Sequence, residues 1–386
     1  MRIVGATIYA LRIPFVEAFS HSTKSRKFSD SFVVRVTARD GATGYGEGAA
    51  RPYVTGETVE SSLRHIEKQL WPAIARCDYP DLAPDPDPIA ALTAISRALP
   101  DEETPGIVAW HGARAAVELA LVDCLLKRQH LSLAHILPPK RSVVTYSGVI
   151  TAGSIEKAVQ HAKHFKLFGI KQLKIKIGGA ETVERVAAIR ETVGPNASLR
   201  LDANGAYDVA GALAVLAQLA EFKIETVEQP IKRGEPAELA ALKRQSPIPV
   251  MADESLVTVA DARALIDAGA CDYFNLRVSK CGGIARTLEM ARMASRAGLR
   301  LQLGSQVGET AILSAAGRHV AAYLDDVAFL EGSYGSLLLK EDVGRDSINF
   351  GHGGKATVLR GHGLGVKVRE DILEKYAVST TRLGKG

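Results

Sequence analysis

Cysteine is scarce in this chain, which has four cysteines among 386 residues. Cys77, Cys124, Cys271 and Cys281 stand far apart, and the sequence has no Cys-x-x-Cys pair. This spacing gives neither a zinc-binding motif nor a disulfide framework. Because reduced thiols are typical of the cytoplasm, we predict a cytoplasmic protein without disulfides.

Long apolar runs and clusters of one charge sign are also missing. No stretch approaches the roughly 18 apolar residues of a membrane span, and no basic segment and apolar core follow Met1, so we predict neither a membrane span nor a signal peptide. The net charge of +5 is spread along the chain, which gives no case for a nucleic-acid partner and a mild one for small anionic substrates. With 46% hydrophobic and 24% charged residues, the composition is that of a soluble globular protein.

The N-terminal third predicts a small α+β unit. Residues 2–13 and 31–38 alternate apolar and polar side chains, and a turn at 39–42 leads into 44–48, which together predict an antiparallel meander. The polar segment 17–30 between the first two strands is predicted to be a loop. The other predictions for this unit are helices at about 57–76, capped by Glu57 or Thr58, and at 107–128, an irregular segment at 51–57 and a Pro-rich surface excursion at 79–88.

From residue 142 onward, short apolar segments alternate with segments of helical period. Eight such units in a row predict a (β/α)8-type barrel, because parallel strands need crossover helices and all of these crossovers are short. The tail after residue 336 lacks a helical period and is predicted to return to the N-terminal unit as strands and loops. The eight predicted strands are 143–150, 172–177, 198–202, 224–228, 249–252, 273–276, 299–303 and 327–330.

Three consecutive predicted strands end on an acid, namely Asp202, Glu228 and Asp253. The carboxyl ends of parallel strands lie at one edge of the sheet, so these side chains are expected to converge. Without basic partners they would repel one another, and a hard divalent cation is the simplest way to hold them together. We therefore predict a magnesium site, whereas each acid taken alone is equally well explained as a helix N-cap.

Two lysines end the preceding predicted strand. Lys174 and Lys176 are two residues apart, so their side chains lie on the same face of the strand. Neither has an acidic neighbour close in sequence. Two like charges beside a metal lower each other's pKa, which favours a lysine base, although a single lysine here would be read as a solvated strand end.

The motifs Lys174-Ile175-Lys176, Asp202-Ala203-Asn204-Gly205, Glu228-Gln229-Pro230, Asp253-Glu254-Ser255 and Asn275 to Gly283 resemble, in order and spacing, those of the enolase superfamily. Within it they resemble the muconate-lactonising (muconate cycloisomerase) subgroup of the mandelate racemase and muconate-lactonising enzymes. The resemblance implies an N-terminal α+β capping domain (1–130), a (β/α)7β TIM-like barrel (131–335) and a C-terminal segment returning to the cap (336–386).

The resemblance also implies a chemistry. Mg2+, with Mn2+ as an alternative, binds the substrate carboxylate, and a lysine removes the proton alpha to it to give a metal-stabilised enediolate. By position, Lys176 resembles the base and Lys174 its electrostatic partner. Asn204 and Glu254 lie next to the ligands, where they would orient a ligand, a water or the substrate.

The sequence departs from the subgroup on the sixth strand. Arg277 stands where a second lysine is usual, and Lys280 follows three residues later with the opposite strand parity. Arginine stays protonated and is a poor proton acceptor, so we favour chemistry with one base on the Lys176 face, led by cycloisomerisation. The alternatives are a dehydratase or lyase acting by syn elimination, a racemase or epimerase of an amino-acid derivative in which Lys280 enters the site, and a non-catalytic carboxylate-binding barrel.

Substrate contacts are predicted at two places. Ser305, Gln306 and Glu309 follow the seventh strand, where a helix-capping turn is the other reading, and Glu331-Gly332-Ser333 lacks the Asp-x-Asp pattern of dipeptide epimerases. We also predict that the protein binds a small carboxylate and forms a homo-oligomer. The candidate cap-loop residues, for each of which simple solvation is the alternative, are His21, Arg26, Arg51 and Tyr53.

Overall fold

The computed structural model describes residues 1–21, 24–85, 87–151 and 153–384, without the side chains of residues 17–26. The strands are β1 (Ile3–Leu11), β2 (Pro14–His21), β3 (Lys24–Phe28), β4 (Ser31–Ala38), β5 (Thr43–Gly48), β6 (Val143–Thr145), β7 (Gly148–Ile150), β8 (Gln172–Lys176), β9 (Ser198–Asp202), β10 (Ile224–Glu228), β11 (Val250–Ala252), β12 (Tyr273–Leu276), β13 (Arg300–Leu303), β14 (Phe329–Leu330), β15 (Lys355–Thr357) and β16 (Ala377–Gly384). The α-helices are α1 (Val59–His65), α2 (Trp71–Arg76), α3 (Pro88–Ser96), α4 (His111–Arg128), α5 (Ile155–Leu167), α6 (Thr182–Val193), α7 (Val209–Leu219), α8 (Pro236–Gln245), α9 (Val259–Asp267), α10 (Ile284–Arg296), α11 (Ala311–Tyr323) and α12 (Glu370–Tyr376).

A four-stranded antiparallel sheet in the order β16-β1-β4-β5 forms the cap and confirms the predicted meander. Helix α4 packs directly on β5 because that strand places glycine at alternate positions. A Cβ atom on Gly46 would lie 2.0 Å from the carbonyl oxygen of Ala116, so only glycine permits this close approach. The alternating apolar and polar residues thus favour the sheet, and the glycines at every second position of β5 determine the face on which α4 packs.

Three features of the cap differ from prediction. The polar segment 17–30, predicted to be a loop, contributes to an antiparallel hairpin of β2 and β3. Helix α3 was not predicted, because the prolines before it indicated a surface excursion, but Asp87 caps it by accepting from the backbone N–H of Ile89. The first predicted helix begins after the Thr58 cap as expected, but a π-helical turn at Ile66–Leu70 separates α1 from α2.

Strands β7 to β14 form one parallel sheet in chain order, and α5 to α11 lie in the crossovers between them. A hydrogen bond of 2.8 Å from the backbone N–H of Ser147 to the carbonyl of Leu330 joins its first and last strands. Eight strands with seven crossover helices make a (β/α)7β barrel, which confirms the predicted fold class. The predicted first strand is split, because only β7 joins the barrel and β6 pairs with β15 instead.

The C-terminal segment pairs β16 with β1, Ile8 lying opposite Thr381. It also contains α12, a short helix that the sequence pattern did not predict. The exact domain boundaries remain a prediction. In the part of the chain that is described, none of the helices has the length and apolar character needed to span a bilayer.

Two buried glutamates attach the cap to the barrel. Glu118 of α4 accepts from the backbone N–H of Ile284 at 2.6 Å, where α10 begins. Glu47 of β5 accepts from the backbone N–H groups of Thr310 at 2.9 Å and Leu313 at 3.1 Å, where α11 begins. A carboxylate at a helix N-terminus satisfies unpaired N–H groups. Since these helices begin at the carboxyl ends of barrel strands, the two contacts hold the cap over that end.

Candidate active site

The three predicted acids lie side by side on adjacent strands. Asp202 and Glu228 are the last residues of β9 and β10 and stand opposite each other in the strand register. Asp253 follows β11 directly, and all three side chains are buried. The rule that strand ends share one edge therefore placed these acids correctly relative to each other.

Lys174 is surrounded by acids, although none is near it in sequence. Its Nζ lies 2.8 Å from Glu331, 3.2 Å from Asp202 and 3.3 Å from Glu228. Burial opposes the charge, but the attraction of these carboxylates outweighs it and raises the pKa of Lys174. The expectation that Lys174 and Lys176 lower each other's pKa is therefore wrong for Lys174, which stays a cation.

Lys176 lies one pleat further along β8. Its Nζ contacts Asp202 Oδ2 at 2.6 Å and Asn204 Oδ1 at 2.7 Å. Asn204 in turn donates to Glu254 Oε1 at 3.0 Å and adopts a left-handed backbone with φ of 46°. A non-glycine residue in this region is strained, and such strain is common at functional sites.

Arg277 directly follows β12 and faces the acids. Because β12 is the fourth strand from β8, Arg277 lies on the opposite side of the eight-stranded barrel from the two lysines. Its Nη2 contacts Asp253 and lies 3.2 Å from Glu228, and its Nη1 lies 3.2 Å from Gln306 Oε1. The expectation that the acids meet without basic partners is therefore wrong. The absence of a side chain at Gly304 makes room for this arrangement, because a Cβ there would lie 3.2 Å from the Arg277 Nε.

Lys280 is placed differently from Arg277. Its ammonium group is buried and donates three hydrogen bonds, to Asp253 Oδ1 at 2.7 Å, Asp253 O at 2.8 Å and Asn275 O at 2.7 Å. Three donors exhaust the capacity of an ammonium group. Arg277 lines the cavity described below, whereas Lys280 lies outside it and contacts Asp253.

Glu331 belongs to the same buried charge cluster, and the sequence analysis gave it no part in the site. It follows β14, and its carboxylate contacts Lys174 at 2.8 Å and Arg200 at 2.6 Å. Burial alone would raise the pKa of Glu331, but the two cations hold it at about 2. Its position at a strand end was the available signal, the same one that identified the other acids.

We expect Glu331→Gln to lower the free energy of unfolding by about 3–5 kcal/mol near pH 7, because it removes the carboxylate that pairs with the buried Arg200 and one of the three that pair with the buried Lys174. Because the pKa of Glu331 is lowered in the folded state, its carboxylate stabilises the fold above about pH 4.5, and this stabilisation is lost as the pH falls towards 2. Urea unfolding at several pH values measures it. The exposed Glu221→Gln is the matched control, and an equally small change in both variants would contradict the prediction.

These groups open into a cavity of about 780 Å³ at the carboxyl end of the barrel. Burial raises the pKa of Glu309 to about 8, with repulsion by Glu47 adding to it, so this carboxyl group is largely protonated at neutral pH.

The predicted substrate-contact residues are placed in different ways. Arg51 is buried and donates to the Asp30 and Val307 carbonyls, which places it at the contact of cap and barrel. His21 and Arg26 have side chains outside the described part. The predicted substrate-contact residues that line the cavity are Tyr53, Asn204, Ser305, Gln306 and Glu309.

The donor chemistry of the acids fits a hard divalent cation. Asp202, Glu228 and Asp253 offer only carboxylate oxygens, the ligands that Mg2+ prefers. Near them the buried Glu254 Oε2 and Asn275 Oδ1 accept no hydrogen bond. Within the described residues, however, no group of three His, Cys, Asp or Glu side chains is arranged to hold a metal ion. In this structure Lys174, Lys176, Arg277 and Lys280 take the carboxylate oxygens instead.

A capped (β/α)7β barrel with buried acids and bases at its carboxyl end has the architecture of enzymes whose active site lies at that end. A family model described as Enolase C-terminal domain-like matches residues 157–372. The chain therefore belongs to the enolase superfamily, and the relatives named below are isomerases. It is an enzyme.

The chain resembles relatives of several activities over nearly its whole length. It is 28% identical to N-succinyl-L-Arg/Lys racemase of Bacillus cereus over 98% of each chain. It is 32% identical to a hydrophobic dipeptide epimerase of Enterococcus faecalis, covering 87% of this chain and 92% of the relative. It is 28% identical to muconate cycloisomerase 1 of Rhodococcus opacus, covering 97% and 98% of the two chains.

Solved structures agree with this placement. The N-succinyl Arg/Lys racemase from Bacillus cereus superposes with a TM-score of 0.88 at 27% identity, covering 99% of this chain and 100% of the other. A dipeptide epimerase from Cytophaga hutchinsonii, in complex with Mg and the dipeptide D-Ala-L-Val, superposes with a TM-score of 0.85 at 26% identity and the same coverage.

Proposed function

We propose that this enzyme isomerises a small carboxylate by transferring a proton at the carbon next to the carboxylate, on one face only, through an enediolate. Cycloisomerisation of the muconate-lactonising kind is the leading reaction. The proposal rests on the position of Lys176 and Arg277 on opposite sides of the cavity. Only one side then carries a proton acceptor, since a neutral lysine can accept a proton and an arginine cannot.

Each side chain of the site has a separate role in the proposed reaction. Lys176 transfers the proton, and Lys174 and Arg277 hold the substrate carboxylate and stabilise its developing negative charge. Lys280 positions Asp253. Asp202, Glu228 and Asp253 would hold Mg2+, which when bound supplies further electrostatic stabilisation of that charge.

Racemisation or epimerisation is the second candidate, and two observations favour it. Many of the matched relatives are racemases or epimerases. Glu309 also lines the cavity beside Gln306, the residue that contacts Arg277, and its pKa of about 8 would let it donate a proton there.

The test is to incubate the protein with MgCl2 in D2O and each enantiomer of N-succinylphenylalanine, and separately with cis,cis-muconate. We expect proton NMR to show exchange of the alpha proton in one enantiomer with its configuration retained, and the diene absorbance of muconate to fall. Exchange with interconversion of both enantiomers would replace the proposal by the racemase. Binding of the acids without exchange or turnover would indicate a carboxylate-binding barrel.

A further inference from the structure

A buried histidine of the cap contacts the segment that carries Lys280. His111 is the first residue of α4 and is only 3% exposed. Its Nδ1 lies 2.7 Å from the carbonyl oxygen of Lys280, a residue 169 positions further along the chain. The contact therefore joins the cap to the end of β12, and His111 has no part in the reaction proposed above.

Two neighbours fix the protonation of the His111 ring. A carbonyl oxygen only accepts hydrogen bonds, so the ring proton lies on Nδ1 and is donated to Lys280. The other nitrogen, Nε2, lies 3.0 Å from Nη1 of Arg286, a group that only donates, so Nε2 is unprotonated. Burial, together with repulsion by Arg286, lowers the pKa of His111 to about 4. At neutral pH the ring is thus an uncharged donor with a fixed direction.

The cap also contacts the residues on either side of Lys280. Gly282 has a φ of 84°, and a Cβ atom there would lie 2.9 Å from the His111 Cδ2, so this turn packs directly on the ring. The backbone N–H of Ala49, which directly follows β5, donates to Ser279 Oγ at 3.0 Å. The backbone of Lys280 is therefore held by the cap rather than by the barrel alone.

The side chain of Lys280 transmits this constraint to an acid of the site. Its ammonium group donates to Asp253 Oδ1 and Asp253 O and to Asn275 O, and it has no further donor. A shift of the Lys280 backbone would lengthen these hydrogen bonds or move the Asp253 carboxylate with them.

We propose that His111 is a positioning residue of the site: by holding the Lys280 carbonyl, it fixes the Lys280 ammonium group against Asp253 and thereby orients the oxygen atoms with which Asp253 would bind a metal ion. The cap then supports the site from behind as well as covering it. The role of Asp253 as a metal ligand, on which this inference rests, belongs to the proposed function.

The experiment measures the dissociation constant of Mg2+ by isothermal titration calorimetry for His111→Asn, His111→Gln and His111→Ala. The amide nitrogen of Asn occupies the place of Nδ1 and can still donate to Lys280, whereas the longer Gln places its amide near Nε2. His319→Ala is the matched control, because His319 is also 3% exposed and bonds to a backbone carbonyl, that of Leu364.

We expect His111→Ala and His111→Gln to weaken Mg2+ binding by about tenfold, as removal of a group that supports a metal ligand commonly does, and His111→Asn to restore most of the affinity. His319→Ala should bind Mg2+ like the unmodified protein. If His111→Ala fails to fold, the comparison of the Asn and Gln variants decides. Unchanged affinity in His111→Gln, equal losses in the Asn and Gln variants, or an equal loss in His319→Ala would overturn the proposal.

A double-mutant cycle in urea keeps this test separate from that of the proposed function. If the unmodified protein binds no Mg2+, the metal site of the proposed function fails, but the contact between His111 and Lys280 can still be tested. The losses of unfolding free energy in His111→Gln and Lys280→Met should not add in the double variant, whereas those of His319→Ala and Lys280→Met should add. Additive losses for His111→Gln and Lys280→Met would overturn the proposal with or without metal binding.

Discussion

Lys176→Ala is expected to slow alpha-proton exchange by about a thousandfold, because a positioned general base contributes roughly 10²–10⁴ in rate. The variant should still fold, since Asp202 keeps Lys174 at 3.2 Å as a partner when the contact with Lys176 is lost. Exchange is measured by proton NMR in D2O, with thermal unfolding and Mg2+ titration as checks on the fold and the metal site.

Lys171→Ala is the matched control for Lys176→Ala, because Lys171 is an exposed lysine just before the same strand. It should exchange the proton at the normal rate. If Lys176→Ala also exchanged at the normal rate, Lys176 would not be the base.

Arg277→Lys is expected to produce exchange of the enantiomer that the unmodified enzyme leaves untouched, by about a hundredfold over background. It places a group that can accept and donate a proton at the end of β12, across the barrel from Lys176. Two proton-transferring groups on opposite faces are what racemisation requires, so interconversion of the enantiomers should follow. Chiral chromatography of each enantiomer, together with its deuterium content, measures the gain.

The same change should also lower stability, because a lysine cannot reproduce the planar fork that contacts both Asp253 and Glu228. Arg292→Lys, at an ion pair with Asp87 remote from the barrel mouth, controls for replacing an arginine by a lysine. Arg277→Lys that still exchanges only one enantiomer would show that Arg277 does not set the stereochemistry. Interconversion by the unmodified enzyme would show the same.

Local patterns were enough to predict the barrel and its acids. The period of each strand and the acid that ends it are properties of a few neighbouring residues, and the common edge of a parallel sheet then places Asp202, Glu228 and Asp253 together. The same reasoning did not include Glu331, although a strand was predicted directly before it, because its contacts with Lys174 and Arg200 join distant parts of the chain.

The pairing of charges could not be predicted from local patterns. Lys174 meets Glu228 because β8 and β10 flank β9, and it meets Glu331 because the barrel closes; the two acids are 54 and 157 positions away in the chain. The sequence also did not indicate that Lys157, His161 and His164 line the cavity, since they look like the solvated face of an amphipathic helix. Only the position of the cavity distinguishes that face from an ordinary surface.

A crystal structure of the unmodified protein with MgCl2 and bound N-succinylphenylalanine tests one-face proton transfer most directly. The alpha carbon of the exchanging enantiomer should lie about 3–3.5 Å from the Lys176 Nζ, a distance suited to proton transfer, with its carboxylate near Lys174 and Arg277. An alpha carbon that lies against Arg277 and out of reach of Lys176 would contradict it.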